Sequence, residues 1–368
     1  MNILFLSTHL DIGGITWYIL TLSRGYIKEG HSVFVASGGG SMEERFRGSG
    51  VTLLPLAIRT KQEFGPKAFR AMPQLCTLLK EQRIDIIHSN SRVTQVVAQA
   101  ASRLTHVPHV TTYHGFFRKR TLRRILPCIG ERVIAISTPV KDYLLRDLGI
   151  PEKKISLIHN GVDTARFSER PAGIDPQALR REYGLRGDST VVGIIARLST
   201  VKGHEDLITA FAAALASDNR LELLIVGEGD IKPGLVQLAK KLGVDDSVRY
   251  VDRVDDTRRP LSVIDIFAMP SHMEGFGLAV LEAMMMEKAV VATDIGGISE
   301  VVENNSTGIL VPPRSPSELA TAILRFAGNP DLRAEFGRRA RAAAAARFPL
   351  DATISKTLEL YTNVVAKG

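Results

Sequence analysis

Two doubly wound α/β domains in tandem, each a parallel sheet between layers of helices, are what this sequence predicts. Three observations lead there. Short apolar runs alternate with helix-length segments, the pattern of parallel sheets built from strand–helix units. The alternation pauses at His159-Asn160-Gly161-Val162-Asp163 and restarts over residues 190–196. The 368 residues also exceed what one ordinary hydrophobic core organises.

In the first half, residues 3–6 form an apolar strand. A turn at Gly13-Gly14 follows, then a helix whose Tyr18, Leu22 and Tyr26 recur at helical spacing. Residues 32–36, 51–54, 84–88, 109–112, 132–136 and 155–158 read as further strands. In the second half the strands are 190–196, 221–226, 248–251, 264–268, 289–292 and 308–311. Residues 317–347 read as helix, helped by the alanines at 342–346, and a last helix covers 351–365. Ligands of such sheets gather beyond the carboxyl ends of the strands. Two halves joined without a long disordered linker put the expected binding cleft between them.

The composition, 45% hydrophobic and 23% charged, is that of a globular chain. No apolar run reaches the roughly 18 residues that a membrane span requires. The start, Met-Asn-Ile-Leu-Phe-Leu-Ser-Thr, reads as a first strand and not as a signal peptide. Two cysteines, Cys76 and Cys128, lack metal-type spacing and are expected as reduced core thiols of a cytoplasmic protein. The formal net charge of +8 favours anionic partners without choosing among nucleic acid, acidic lipid and phosphorylated ligand.

The segment that concentrates chemistry is Met269-Pro270-Ser271-His272-Met273-Glu274-Gly275-Phe276-Gly277-Leu278-Ala279-Val280-Leu281-Glu282. It follows the apolar run 263–268 and leads into a helix marked by Leu278, Leu281, Met284 and Met285. The backbone N–H groups of Phe276, Gly277 and Leu278 would open that helix, where they suit a phosphate. Two glycines allow a ligand close to the backbone, and Glu274 and Glu282 can accept hydrogen bonds from hydroxyls. Diphosphate flanked by hydroxyls describes a nucleotide sugar; taken alone, the same turn also suits a plain helix start with a surface Glu.

The complete string E-x-F-G-L-x-x-x-E resembles the EX7E signature of the retaining glycosyltransferases of family 4, which have the GT-B fold. The strand end Ile194-Ile195-Ala196 runs into Arg197-Leu198-Ser199-Thr200-Val201-Lys202-Gly203, similar to the family's G-R-L followed by K-G, with Ala196 in place of the glycine. Arg197 and Lys202 could both grip a diphosphate, or be two solvated surface cations. Thr293-Asp294-Ile295-Gly296-Gly297-Ile298-Ser299-Glu300 resembles the family's G-G-x-x-E segment, which meets donor sugar or phosphate. Glu287 and Ala289 stand where the family usually has Gly and Pro, so a local packing change is expected at that helix exit.

Carried onto this chain, the resemblance implies that Glu282 binds ribose hydroxyls and that Glu274 lies near the donor sugar or reacting centre. Phe276, Gly277 and Leu278, with Gly296 and Gly297, would offer backbone to sugar or diphosphate. The strand end Tyr250-Val251-Asp252-Arg253-Val254 would hold the base, with Arg253 as a candidate contact. Gly13 and Gly14 occupy the place of the family's first-domain glycine loop, near diphosphate and acceptor. His114, at the end of the strand Thr111-Thr112-Tyr113, resembles the family's strand-end histidine and is assigned to donor-sugar hydroxyls or the reacting centre, not to metal. The last helix is implied to cross back onto the first domain, so the expected domains are 1–165 plus 350–368, for the acceptor, and 166–349, for the nucleotide sugar.

No Asp-x-Asp stands at a strand end, so metal-independent catalysis is expected, with Arg197, Lys202 and helix N-termini neutralising the departing diphosphate. No cofactor is expected beyond the nucleotide-sugar co-substrate. No residue is a convincing covalent nucleophile. The family resemblance implies front-face substitution, the leaving phosphate helping to deprotonate the acceptor.

The segment Phe116-Phe117-Arg118-Lys119-Arg120-Thr121-Leu122-Arg123-Arg124-Ile125-Leu126 combines five cations with a stripe of Leu122, Ile125, Leu126 and Ile129. Such a helix can lie on anionic lipid at the inner face of the cell membrane, or pack its stripe on the sheet and solvate its charges. The same patch could hold a phosphorylated soluble acceptor. The expected activity is a retaining hexosyl transfer from a nucleotide-diphosphate sugar, a UDP-sugar favoured, to a glycan or glycolipid of lipopolysaccharide, capsule or other envelope polysaccharide.

Two rivals share the fold: a GT-B sugar-nucleotide epimerase, which would lack the family 4 string, and a phosphorylase, which would need a lysine motif for pyridoxal phosphate. A basic nucleic-acid-binding protein would fit the charge but would want aromatics interleaved with its cations, and no nucleic-acid partner is expected. A nicotinamide dehydrogenase would need G-x-G-x-x-G early in a strand–helix unit, which neither Gly13-Gly14 nor Gly38-Gly39-Gly40 supplies.

Overall fold

The computed structural model describes residues 1–117, 121–168 and 175–367. They form two compact units: residues 1–161 with 350–368, and residues 162–349. In the first unit, β1 (Asn2–Leu6) leads through α1 (Gly14–Lys28) to β2 (Ser32–Ser37), α2 (Glu43–Arg47) and β3 (Thr52–Pro55). α3 (Pro66–Glu81), β4 (Ile86–Ser89), α4 (Arg92–Thr105) and β5 (His109–Tyr113) follow. α5 (Thr121–Ile125), β6 (Arg132–Ala135), α6 (Thr138–Arg146) and β7 (Ile155–Leu157) complete this stretch.

The sheet is parallel in the order β3-β2-β1-β4-β5-β6-β7, so the winding reverses between β1 and β4. Alternation along β1 shows why helices cover both faces. Ile3 and Phe5 join one core with Tyr18, Leu22 and Tyr26 of α1, while Leu4 and Leu6 join another with Ala71, Leu75 and Leu79 of α3. Period-2 side-chain direction requires such a split when a strand is apolar throughout.

The second unit opens with α7 (Thr164–Ser168) and α8 (Pro176–Glu182), then β8 (Thr190–Ile195), α9 (His204–Leu215), β9 (Leu221–Val226) and α10 (Lys232–Lys241). β10 (Val248–Val251), α11 (Arg258–Val263), β11 (Ile266–Met269), α12 (Leu278–Met285) and β12 (Ala289–Thr293) come next. α13 (Ile298–Val301), β13 (Ile309–Val311), α14 (Pro316–Ala327) and α15 (Pro330–Arg347) finish it. This sheet is also parallel, in the order β10-β9-β8-β11-β12-β13, and reverses between β8 and β11. The last helix, α16 (Leu350–Val365), returns to the first unit, where Ile354, Leu360 and Tyr361 enter the core beneath α1.

Several sequence expectations need correction. The strand expected over 264–268 starts only at Ile266: Val263 ends α11, the chain straightens at Ile264, and Asp265 receives hydrogen bonds from Arg180 (3.1 Å) and the Val191 amide (2.8 Å) before β11 begins. The helix expected over 317–347 is two helices, broken at Gly328-Asn329-Pro330, where Asn329 accepts from the Leu332 amide at 2.9 Å and Pro330 cannot continue the ladder. Cys76 and Cys128 are only partly buried, so neither is a core thiol. Of the two alternatives for the apolar stripe, packing on the sheet fails for Ile125 and Leu126, which are exposed, while Ile129 is buried; the Leu122 side chain lies outside the described residues. Arg118, Lys119 and Arg120 of that segment lie outside the described residues.

Candidate functional site

In the second unit the chemistry-bearing residues stand on the loops that leave β8, β11 and β12, starting at the point where strand order reverses. The loop after β8 carries Arg197, exposed, then turns once in a short 3₁₀ segment (Thr200–Lys202) and ends in Gly203 with φ 69°. A Cβ on Gly203 would strike the Pro270 carbonyl, so only glycine lets this loop lie against the end of β11. The His272 amide donates to the Val201 carbonyl at 2.8 Å across the same contact.

Lys202 therefore meets the loop after β11, where its Nζ pairs with the Glu274 carboxylate. Both side chains are largely buried, 20% and 15% exposed, so the pair is well shielded from salt. The loop after β12 is pressed on from the other side. The Gly297 amide donates to the Glu274 carbonyl at 3.3 Å, and a Cβ on Gly297 would strike the Gly275 carbonyl. Gly296 has φ 49°. Gly277, with φ 98°, precedes the first residue of α12, Leu278. Phe276 turns inward, its ring edge-on to Phe348 at 5.4 Å, so the residue can offer a ligand only its backbone.

Glu282 lies on α12 beside Thr257, Arg166 and Asp256. Burial pushes its carboxyl above its ordinary range and Asp256 adds to this, while Thr257 and Arg166 act in the opposite direction. Arg166 and Arg258 hold Asp256 at 3.2 and 2.8 Å. Arg253, after β10, pairs at 3.8 Å with Glu228. Glu228 belongs to a loop that sequence reasoning missed, Gly227-Glu228-Gly229. A Cβ on Gly227 would strike the Ala196 carbonyl, and one on Gly229 the Leu198 carbonyl. This loop thus braces the Arg197 turn from behind; a G-x-G directly after the strand 221–226, apolar but for Glu222, was the signal available for it. Also missed was Asp206 in the first turn of α9, 2.7 Å from His272.

The departures from the family pattern find their place here. Glu287 adopts φ 56°, a left-handed conformation that glycine would adopt freely, and is paired with Arg341 at 3.1 Å. Ala289 opens β12 in the register Ile266↔Ala289.

In the first unit the loops that leave β1, β4 and β5 carry Gly13-Gly14, Asn90 and His114. Gly13 precedes α1, and no atom lies within 4 Å of where a Cβ on Gly14 would stand, so packing does not demand glycine at Gly14. Gly40 is the opposite case: its Cβ would strike the Leu10 backbone, which makes Gly38-Gly39-Gly40 a structural support of the β1 loop.

His114 is held by Asn90, which sequence reasoning did not single out, and by Tyr18, expected only as part of the apolar face of α1. Tyr18 packs its ring edge against the imidazole at 4.7 Å, and Asn90 Oδ1 lies 3.0 Å from Nε2. Asn90 donates its amide to the His88 carbonyl at 3.3 Å, which leaves Oδ1 to accept from His114 Nε2–H. Nδ1 is then the bare nitrogen, suited to accept from a hydroxyl. Burial pulls the His114 pKa down to about 3, so the ring is neutral at physiological pH. Beneath it, Thr112 Oγ1 joins Tyr18 (3.2 Å) to His88 (2.7 Å), and His88 reaches Tyr361 of α16.

Comparison with known proteins agrees across the chain. The family model for glycosyl transferases group 1 matches residues 175–343, and that for glycosyltransferase family 4 matches residues 12–166. A D-inositol 3-phosphate glycosyltransferase of Salinispora arenicola is 33% identical over 313 residues, 77% of this chain and 69% of that protein. An uncharacterised glycosyltransferase of Methanocaldococcus jannaschii is 25% identical over 95% of this chain and 94% of its own length. Among solved structures, Anabaena HepE in complex with UDP and glucose superposes with a TM-score of 0.87 at 25% identity, covering 99% of this chain and all of that one.

Proposed function

Since the chain belongs to the group 1, family 4 glycosyltransferases and is built as two Rossmann-like halves of the GT-B type, we propose that it moves a hexosyl group from a UDP-sugar to a glycan or glycolipid of the cell envelope, with retention and without a metal ion. The observation that carries this reading is the shielded Lys202–Glu274 pair at the strand-order reversal of the second sheet. An arriving diphosphate competes for Lys202 and, with the exposed Arg197, places two cations on the leaving group. Glu274, released from Lys202, is then free to accept from a sugar hydroxyl.

In the transfer, the bond from the anomeric carbon to the diphosphate oxygen breaks and its electrons stay with the nucleotide. The acceptor oxygen bonds to that carbon on the same face, and its proton passes to the departing phosphate. Lys202 and Arg197 act where negative charge grows, the largest single contribution open to such a site. Glu282 is assigned to the ribose, Arg253 to the base, Gly296 and Gly297 with the 276–278 backbone to sugar and diphosphate, His114 through Nδ1 to a sugar hydroxyl, and Gly13 and Gly14 to diphosphate and acceptor. UDP is favoured because HepE, similar over nearly its whole length, binds UDP and glucose. The name of the 33% identical relative adds inositol 3-phosphate as a soluble acceptor worth assaying beside glycolipids.

The test is calorimetric titration with UDP, GDP and ADP and their sugars in excess chelator. Binding of a UDP-sugar without metal is expected. Binding of none, or transfer that stops when chelator is added, overturns the reading.

A further inference from the structure

A connected path of polar side chains runs through the first unit, and most of it has no part in the transfer chemistry. It begins on α16, the last helix, where the Tyr361 hydroxyl meets His88 Nδ1. His88 Nε2 lies 2.7 Å from Thr112 Oγ1, which in turn lies 3.2 Å from the Tyr18 hydroxyl. The edge of Tyr18 stands against the His114 ring at 4.7 Å. A second branch leaves the same residue: the His88 carbonyl receives Asn90 Nδ2 at 3.3 Å, and Asn90 Oδ1 receives His114 Nε2 at 3.0 Å. Both branches start at His88 and converge on His114. His88, Thr112, Asn90 and Tyr361 are buried.

Support of the fold is a poor reason for such a path. A buried hydrogen bond contributes little net stability, and replacing both partners by apolar groups of the same shape is often neutral. What a fully satisfied buried network supplies is a single arrangement of its members. Phe5, Tyr18 and Tyr361 pack around the His88 ring at 5.1, 6.3 and 5.7 Å, so it has one seat. Burial keeps that ring neutral, so it donates from one nitrogen and accepts at the other.

We propose that Tyr361 is a positioning residue for His114: through His88 and Thr112, the terminal helix sets the place of Tyr18 and thereby the angle at which His114 offers Nδ1 to a sugar hydroxyl. This rests on the assignment of His114 to such a hydroxyl. Tyr361 acts from three hydrogen bonds behind Tyr18 and touches no substrate.

Three variants test it. Thr112→Val keeps the volume at the junction and removes its hydroxyl, Thr112→Ser keeps the hydroxyl, and His88→Phe/Tyr361→Phe replaces both polar partners by apolar rings. Thr112→Val and the double variant should lower kcat/KM for transfer from a UDP-sugar about tenfold, the scale of a small misplacement remote from the chemistry. Affinity for UDP alone should stay as in wild type, since UDP brings no sugar to His114. Thr112→Ser should restore most of the rate. The double variant should melt close to wild type, which separates positioning from support of the fold. In protein carrying isotope-labelled histidine, the His114 ring-nitrogen signals, identified by their absence in His114→Gln, should be sharp in wild type and broadened or doubled in Thr112→Val. Wild-type kcat/KM in Thr112→Val and in the double variant overturns the proposal, as does UDP affinity that falls in step with the rate. If no UDP-sugar supports transfer by the wild-type chain, the functional reading falls and the histidine spectrum decides alone: His114 signals unchanged in Thr112→Val overturn the positioning role.

Discussion

At Lys202 one ammonium has two partners in prospect, the carboxylate it now holds and the phosphate it is proposed to receive. Lys202→Ala should lower kcat/KM for transfer by about a hundredfold or more, the size of effect seen when a donor to developing charge is removed. It also leaves Glu274 largely buried without its cation, at roughly 1–3 kcal/mol. The double variant Lys202→Ala/Glu274→Gln removes that cost, so it should melt like wild type and remain inactive. Wild-type kcat/KM in the single variant would take Lys202 out of the site. His114 shows how surroundings decide a residue's role: burial keeps the imidazole neutral, and the Asn90 contact at Nε2 leaves Nδ1 as the acceptor.

The loops behave as one element because glycines let them touch. Gly203 joins a positive φ to a close approach on Pro270, whereas Gly14 has neither. Gly203→Ala should therefore destabilise the second unit by about 2 kcal/mol or more, from the left-handed backbone and the clash together. Gly14→Ala should keep the melting temperature, since Ala is the better helix former. It should raise KM instead, because the open space at Gly14 is what a ligand would use. Melting measured beside kinetics separates the two: unchanged KM in Gly14→Ala dismisses that glycine from binding, and unchanged melting in Gly203→Ala refutes the clash.

Over the whole molecule, buried neutral histidines set the acid limit. Burial holds His109 at about 3 and His204 at about 4, and pushes His88 well below its ordinary value. Unfolded, each would titrate near 6.5. Between those values the unfolded chain binds more protons than the folded one, so stability is full above about pH 6.5 and falls on acidification. Each histidine contributes a slope of roughly 1.4 kcal/mol per pH unit. Melting followed from pH 7 to 5 should drop steadily, and a flat profile would show these rings already charged or exposed in the fold.

Apolar strand runs and helical periodicity alone determined two parallel α/β halves, because strands buried on both faces must be apolar throughout. The string from Glu274 to Glu282, with Arg197 and Lys202, was also legible, since close backbone approach and charge leave a mark in residue type. Only the tertiary structure decided that Lys202 holds Glu274, that Gly227 and Gly229 brace the turn behind Arg197, and that Asn90 orients His114. It also decided that Ile125 and Leu126 are exposed. Each of these depends on which segments meet after the chain has wound back on itself, and residue type records the chemistry of a side chain but not its neighbour across the fold.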